Sequence, residues 1–375
     1  MKKTKERIKV LYILPTLDFG GIESHRYIIS KYHKNDMYQI EFCSLFGKGT
    51  IFNKIKSRGY KVYSLSDKYK KINFSLFLKL NKLIKSNKYH IVHTCAAEAN
   101  FYGMLSSLNS KVPVKIIEEV GITDYKLKGK FIYGYIFNNI ADKVIAVSEN
   151  VSQNIQKYFK IQDNKIDVIY NPFDIESYKL LDKFNCQVNE KLNLITISRL
   201  VEEKNIILLL KAIKKLIIEF PNIKLQIVGE GKKRKELEKF VIENDLDKNV
   251  IFLGFQDNVK IFLSNSEYFI LPSKKEGLSI SLIEAMAMKK IVVASKTGGI
   301  PEVINDKHNG FMFKNNSLDD LVKVLKEVFL LSNLKKEIIK ENAYKTVITR
   351  FSPNTYLDKL YHLYERLLYE KNVIY

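Results

Sequence analysis

The feature that most constrains this chain is a rhythm: short apolar runs rich in β-branched residues alternate with longer amphipathic segments along its length. Strands are expected at 8–14, 39–45, 61–65, 91–94, 114–118 and 143–147, with helical patterns between them. This order predicts a parallel sheet covered on both faces. The turn signal Ile169-Tyr170-Asn171-Pro172 closes the series. After a polar stretch around 182–193 the rhythm restarts, with strands expected at 194–198, 225–228, 250–253, 268–271 and 291–294. Beyond Leu318 the pattern is helical only and ends in Tyr356-Leu357-x-x-Leu360-Tyr361-x-x-Tyr364-x-x-Leu367, an apolar stripe at helical spacing. The expected fold is α/β, two doubly wound domains in tandem without a visible sequence repeat. The first spans 1–180 and is joined by a C-terminal helix at 352–375; the second spans 181–351.

A length of 375 residues suits two or three domains, and 46% hydrophobic with 27% charged residues fits a soluble globular chain. A disordered tail or a collagenous chain is excluded. Cys43, Cys95 and Cys186 are too few and too scattered for a disulfide scaffold or a cysteine-rich zinc site, and suit a reducing cytosol. The N-x-S sequons at Asn73, Asn150 and Asn315 then carry no meaning. Met1-Lys2-Lys3 followed by the run at 10–14 imitates a signal peptide, but the run is too short and no cleavage site follows. No stretch approaches the ~18 apolar residues of a membrane span. The net charge of +21 implies a polyanionic partner: nucleic acid, an anionic membrane or a phosphorylated substrate.

The distinctive residues gather after strand C-termini. Gly20-Gly21, His93, Glu119, Arg199, Gly229, Gly254, Glu276 and Gly298-Gly299 each follow such an end, and in open α/β sheets that edge binds ligands. In the block 271–287, Glu276 and Glu284 lie eight positions apart. Gly277 allows close backbone approach, and the following helix offers free N–H groups to an anion. Glu284 sits among Leu282, Ile283, Ala285 and Met286, where a carboxylate needs donors. Sugar hydroxyls would serve; so would neighbouring backbone or an Arg. In Ser198-Arg199-Leu200-Val201-Glu202-Glu203-Lys204-Asn205, Arg and Lys frame a strand-to-helix loop. Cations there suit a phosphate, or form a solvated loop.

Together these blocks resemble glycosyltransferase family 4, retaining nucleotide-sugar-dependent enzymes of the GT-B fold, over nearly the whole chain. The resemblance rests on Gly20-Gly21-Ile22-Glu23, His93, Val147-Ser148 and Val168-Ile169-Tyr170-Asn171-Pro172. It continues through Ser198-Arg199-Leu200 with Lys204, Ile227-Val228-Gly229-Glu230-Gly231, Phe252-Leu253-Gly254-Phe255, the E-x7-E pair Glu276/Glu284 and Gly298-Gly299-Ile300-Pro301-Glu302. It implies two Rossmann-like domains facing across a cleft, the first on the acceptor side and the second binding the donor. By the same resemblance, Arg199 and Lys204 would bind the donor diphosphate, Glu276 would contact the donor sugar and Glu284 the ribose hydroxyls. The amides of Gly277, Leu278 and Ser279 would line sugar and diphosphate. Gly229 and Phe255 would flank the base, Gly20 and Gly21 would join the donor site, and His93 would stand at the reacting centre. No metal and no cofactor are implied. The chain departs from the pattern at Cys95, Val120 and Asn205, where relatives often carry His, His and Gly.

Asp245-Leu246-Asp247 imitates a metal-holding D-x-D but falls in a polar turn, and the remaining histidines lack ligand spacing. The expected activity is retaining transfer of a sugar from a nucleoside diphosphate to a hydroxyl acceptor, lipid-linked or polysaccharide, in cell-surface glycan synthesis. A nucleotide-sugar epimerase on the same fold and a basic nucleic-acid-binding protein are the alternatives. The lysines are spread through the chain without a recognised nucleic-acid module, so no nucleic-acid partner is expected. Residues 1–180 hold 30 Lys+Arg against 16 Asp+Glu, which points this domain at an anionic membrane and the protein to the inner face of the cell membrane. The segment 125–137, lysines followed by aromatics, is an interfacial candidate, or else 131–137 is a core helix with solvated lysines beside it.

Overall fold

The structure, a computed structural model, describes residues 7–18, 20–67, 73–120, 129–179 and 192–374. The chain divides into two compact units, one formed by Met1–Phe173 with Pro353–Tyr375 and the other by Asp174–Ser352. The boundary expected between 180 and 181 lies outside the described residues, as does Cys186.

Seven parallel strands form the sheet of the first unit: β1 (Ile8–Leu14), β2 (Tyr38–Phe46), β3 (Val62–Ser66), β4 (Ile91–Cys95), β5 (Val114–Glu119), β6 (Lys143–Ala146) and β7 (Ile166–Val168). Their order is β3-β2-β1-β4-β5-β6-β7. The apolar run at 10–14 in β1 has a simple cause: both faces of the sheet are covered. Val10, Tyr12 and Leu14 enter one core with Ile40, Phe42 and Ile116. Leu11 and Ile13 enter another with Cys43, Val92 and Ile117. The helix Pro353–Glu370 seals the first of these, burying Tyr356, Leu360, Leu363, Tyr364 and Leu367 at the spacing of its stripe. Each such leucine contributes about 1.5–3 kcal/mol.

The second unit holds six parallel strands: β8 (Leu192–Ile197), β9 (Ile223–Val228), β10 (Val250–Gly254), β11 (Tyr268–Leu271), β12 (Ile291–Ser295) and β13 (Phe311–Phe313), in the order β10-β9-β8-β11-β12-β13. The sequence pattern does not mark β7 and β13. Both are three-residue edge strands, too short to show a period, and β7 is interrupted by Asp167, which pairs with Lys143 at 3.1 Å and Arg366 at 2.6 Å. Strand order reverses between β1 and β4 in one sheet and between β8 and β11 in the other. Such switch points open a crevice beyond the strand C-termini, so the loops after β8 and β11 are the natural ligand-binding loops of the second unit.

Candidate active site

Arg199 and Lys204 lie on the loop after β8, and Glu276 on the loop after β11. The two loops are tied together at several points. Lys274 N–H donates to the Glu203 carbonyl at 2.7 Å, and Lys204 Nζ lies 2.6 and 2.9 Å from the two Glu276 oxygens. Both side chains of that pair are largely buried. Arg199 is exposed, and its guanidinium makes no ion pair among the described residues. One exposed cation and one paired cation thus stand at the switch point, an arrangement able to receive a diphosphate.

Glycines set the shape of these loops. At Gly298, φ is +53° and a Cβ would fall 1.7 Å from the Glu276 carbonyl oxygen; at Gly299 it would fall 2.6 Å from that of Gly277. Gly298-Gly299 therefore lets the β12 loop lie directly under the Glu276–Gly277 backbone. Gly229, at φ +137°, packs against the Ser198 carbonyl at 1.9 Å by the same measure, beside the Arg199 loop. Gly277 itself is exposed, with no protein atom within 4 Å of its Cβ position. Leu278 is half-buried, and Ser279 caps the helix Ile280–Ala287, its Oγ accepting from Leu282 N–H at 3.4 Å. Phe255 follows the irregular end of β10 and is 71% exposed.

Glu284, on that helix, accepts a 2.6 Å hydrogen bond from the Tyr178 hydroxyl. Burial pushes its carboxyl above the usual range, while Tyr178 and the Lys260 charge pull it part of the way back. Neither Tyr178 nor Lys260 stands out in the sequence. They lie 106 and 24 residues from Glu284 in the chain, and no spacing rule joins them.

Residues 19–177 match the model described as Glycosyltransferase Family 4, and residues 181–346 match that described as Glycosyl transferases group 1. The chain belongs to glycosyltransferase family 4. Among its relatives is the UDP-Gal:alpha-D-GlcNAc-diphosphoundecaprenol alpha-1,3-galactosyltransferase of Escherichia coli, 22% identical over 99% of this chain and 100% of that one. Another is the capsular polysaccharide biosynthesis glycosyltransferase CapM of Staphylococcus aureus, 24% identical over 78% of this chain and 81% of that one. The crystal structure of Anabaena HepE in complex with UDP superimposes with a TM-score of 0.80 at 21% identity, over 96% of this chain and all of that one. The fold of this glycosyltransferase is GT-B, two Rossmann-like parallel-sheet domains.

His93, expected at the reacting centre, lies inside the first unit. It is fully buried in β4, with Nδ1 2.8 Å from the Tyr364 hydroxyl and Nε2 3.3 Å from Glu118. Strand alternation puts its ring on the face covered by the C-terminal helix, where it meets protein groups at both nitrogens. Around it Arg26, also fully buried, pairs with Glu118 at 2.7 Å, and the Tyr356 hydroxyl donates to Glu118 at 3.3 Å. Burial alone would raise the Glu118 carboxyl, but Arg26 and then His93 outweigh it and hold it well below the usual range. Cys95 is buried too, 3.8 Å from Glu118. Gly20 and Gly21 are exposed at the start of the helix Gly21–Tyr32, after β1 in the first unit. Asp245 and Asp247 are exposed on a turn anchored by buried Leu246, and no cluster among the described residues has the composition of a metal site.

Proposed function

We propose that this glycosyltransferase is a retaining enzyme that takes a sugar from a nucleoside-diphosphate donor and places it on the hydroxyl of a lipid-linked or polysaccharide intermediate of cell-surface glycan. The observation that carries the reading is the exposed Arg199 beside the Lys204–Glu276 pair at the switch point of the second unit. Departure of the sugar leaves charge on the diphosphate. Arg199, Lys204 and the N-terminus of the helix Ile280–Ala287 are assigned to meet that charge, with no cofactor in the scheme. Glu276 is the carboxylate that Lys204 engages. Its engagement by Lys204 lowers its nucleophilicity, which favours same-face attack, the departing phosphate taking the acceptor proton, over a glycosyl–enzyme intermediate. The donor and acceptor classes follow those named for HepE, CapM and the E. coli galactosyltransferase.

The acceptor class also suits a peripheral position on the inner face of the cell membrane. Between residues 42 and 97 the chain carries 12 Lys+Arg and one acidic residue, Asp67. The helix Phe74–Asn87 has no acidic residue and exposes Phe74 and Leu78 in line with Lys82 and Lys85. The interfacial candidate at 125–137 divides in two: Ile136 and Phe137 are core, whereas Phe131 is 91% exposed in the helix Lys130–Tyr135. Its lysines at 126 and 128 lie outside the described residues. No helix among the described residues is long and apolar enough to cross a membrane.

The test is transfer from a panel of nucleoside-diphosphate sugars to lipid-linked diphosphate saccharides, with the product anomer read by NMR. Transfer with the donor's anomeric configuration kept is expected. Inversion, or epimerised donor without transfer, would overturn the reading.

A further inference from the structure

A carboxylate in an apolar helix is stable only if its oxygens find donors. In Glu284 the two oxygens are treated differently. Oε1 takes the Tyr178 hydroxyl at 2.6 Å. Oε2 takes no hydrogen bond from the described residues, and the residue is half-buried. One cation braces Tyr178: Lys260 Nζ lies 4.4 Å from its ring centroid and donates to the carbonyl of the preceding residue, Ser177, at 2.5 Å. A short helix, Glu176–Lys179, brings this phenol to a second-unit carboxylate more than 100 residues away.

We infer that Tyr178 is a positioning residue for the nucleotide: its hydroxyl fixes the Glu284 carboxylate so that Oε2 stands ready as the acceptor for a ribose hydroxyl. The inference rests on the reading of Glu284 as the ribose-binding carboxylate. The physical gain is pre-organisation. A carboxylate already locked in one rotamer loses little freedom when the ligand arrives, and the cation stacked on Tyr178 keeps the phenol from following the ligand instead. A phenol that merely satisfied a buried carboxylate would protect stability alone. A positioning phenol changes how strongly the site senses one hydroxyl of the ligand.

That difference is measurable by calorimetry on the full chain with UDP, GDP and ADP, followed by the 2′-deoxy and 3′-deoxy forms of whichever binds most tightly. Tyr178→Phe is expected to weaken the parent nucleotide about tenfold, the range for a hydrogen bond to a charged group. Turnover at saturating donor should stay within about twofold of wild type. The penalty for removing the sensed hydroxyl, about tenfold in wild type, should shrink to under about threefold in Tyr178→Phe, because coupled groups are not additive. Lys260→Met, which keeps the phenol but releases its ring, should move the same ratio in the same direction by about threefold. A Tyr178→Phe protein that binds the parent as wild type does, or keeps the full deoxy penalty while melting lower, overturns the inference and leaves Tyr178 a structural residue. A folded wild type that binds the nucleotides without sensing either ribose hydroxyl overturns the assignment of Glu284 itself.

Discussion

Gly298→Ala is the sharpest perturbation of the site, because the consequence can be worked from geometry. The residue has φ +53°, and its added Cβ would lie 1.7 Å from the Glu276 carbonyl oxygen. An alanine held in that left-handed conformation costs about 1–2 kcal/mol. Reaching an ordinary contact of ~3.2 Å from 1.7 Å requires the Glu276 backbone to retreat by roughly 1.5 Å. A displacement of about 1 Å at a reacting centre is enough to cost ~10²-fold in rate. The variant should melt a few degrees lower and lose at least about 100-fold in kcat/KM for donor. Gly277→Ala is the companion experiment. Its Cβ would meet no protein atom within 4 Å, so the melting temperature should hold while donor KM rises about tenfold. Steady-state kinetics and thermal melts on the same preparations separate the two effects. Wild-type kinetics in a folded Gly298→Ala protein would refute the claim that the β12 loop sets the position of Glu276, and unchanged donor KM in Gly277→Ala would remove the donor from the space over that glycine.

Three other outcomes are expected. Transfer should continue in excess chelator, because the leaving-group charge is assigned to Arg199, Lys204 and a helix end; loss of activity restored by a divalent cation would reopen Asp245 and Asp247. Acid should weaken the first unit before carboxylates titrate. Burial pushes His25 down to about 4 from an ordinary value of 6.5 and lowers His93 as well. The unfolded chain therefore binds protons that the native unit does not, and His25 alone should lose about 3 kcal/mol as pH falls from 6.5 to 4. Glu118, held low, adds to the loss below its ordinary value. Denaturant midpoints that ignore pH over this window would contradict the burial of both rings, and His25→Leu should flatten the slope. Finally, Lys79, Lys82 and Lys85 changed together to Gln should weaken sedimentation with anionic vesicles at low salt, by about 1 kcal/mol per lysine near the surface; equal binding to neutral vesicles would refute the charge argument.

The tandem sheets were legible because their strands are covered on both faces and so read as apolar β-branched runs. The pattern at β1, where Val10 and Leu11 enter opposite cores, carries that signal by itself. The loops that carry Arg199, Lys204 and Glu276 were legible for a related reason, since all three residues follow strand ends. Tyr178 escaped because its contact with Glu284 joins distant segments without a period. The place of His93 was readable in principle. Alternation puts it on the Ile91 side of β4, and the tyrosines of the C-terminal stripe were visible at the spacing that covers that side. Position after a strand end says that a residue is near the ligand edge; only the face of the strand says whether its ring reaches that edge.

The central claim is that Arg199 and Lys204 hold the donor's diphosphate. It is tested most directly by comparing the affinities of a nucleoside diphosphate and its monophosphate, UDP against UMP or the corresponding pair for the preferred base, in wild type, Arg199→Ala and Lys204→Ala. Wild type should prefer the diphosphate at least about tenfold, and each folded variant should lose most of that preference while still binding the monophosphate, as expected when one charge-assisted contact worth about 1.5–3 kcal/mol is removed. Variants that keep the full preference for the diphosphate would contradict the assignment.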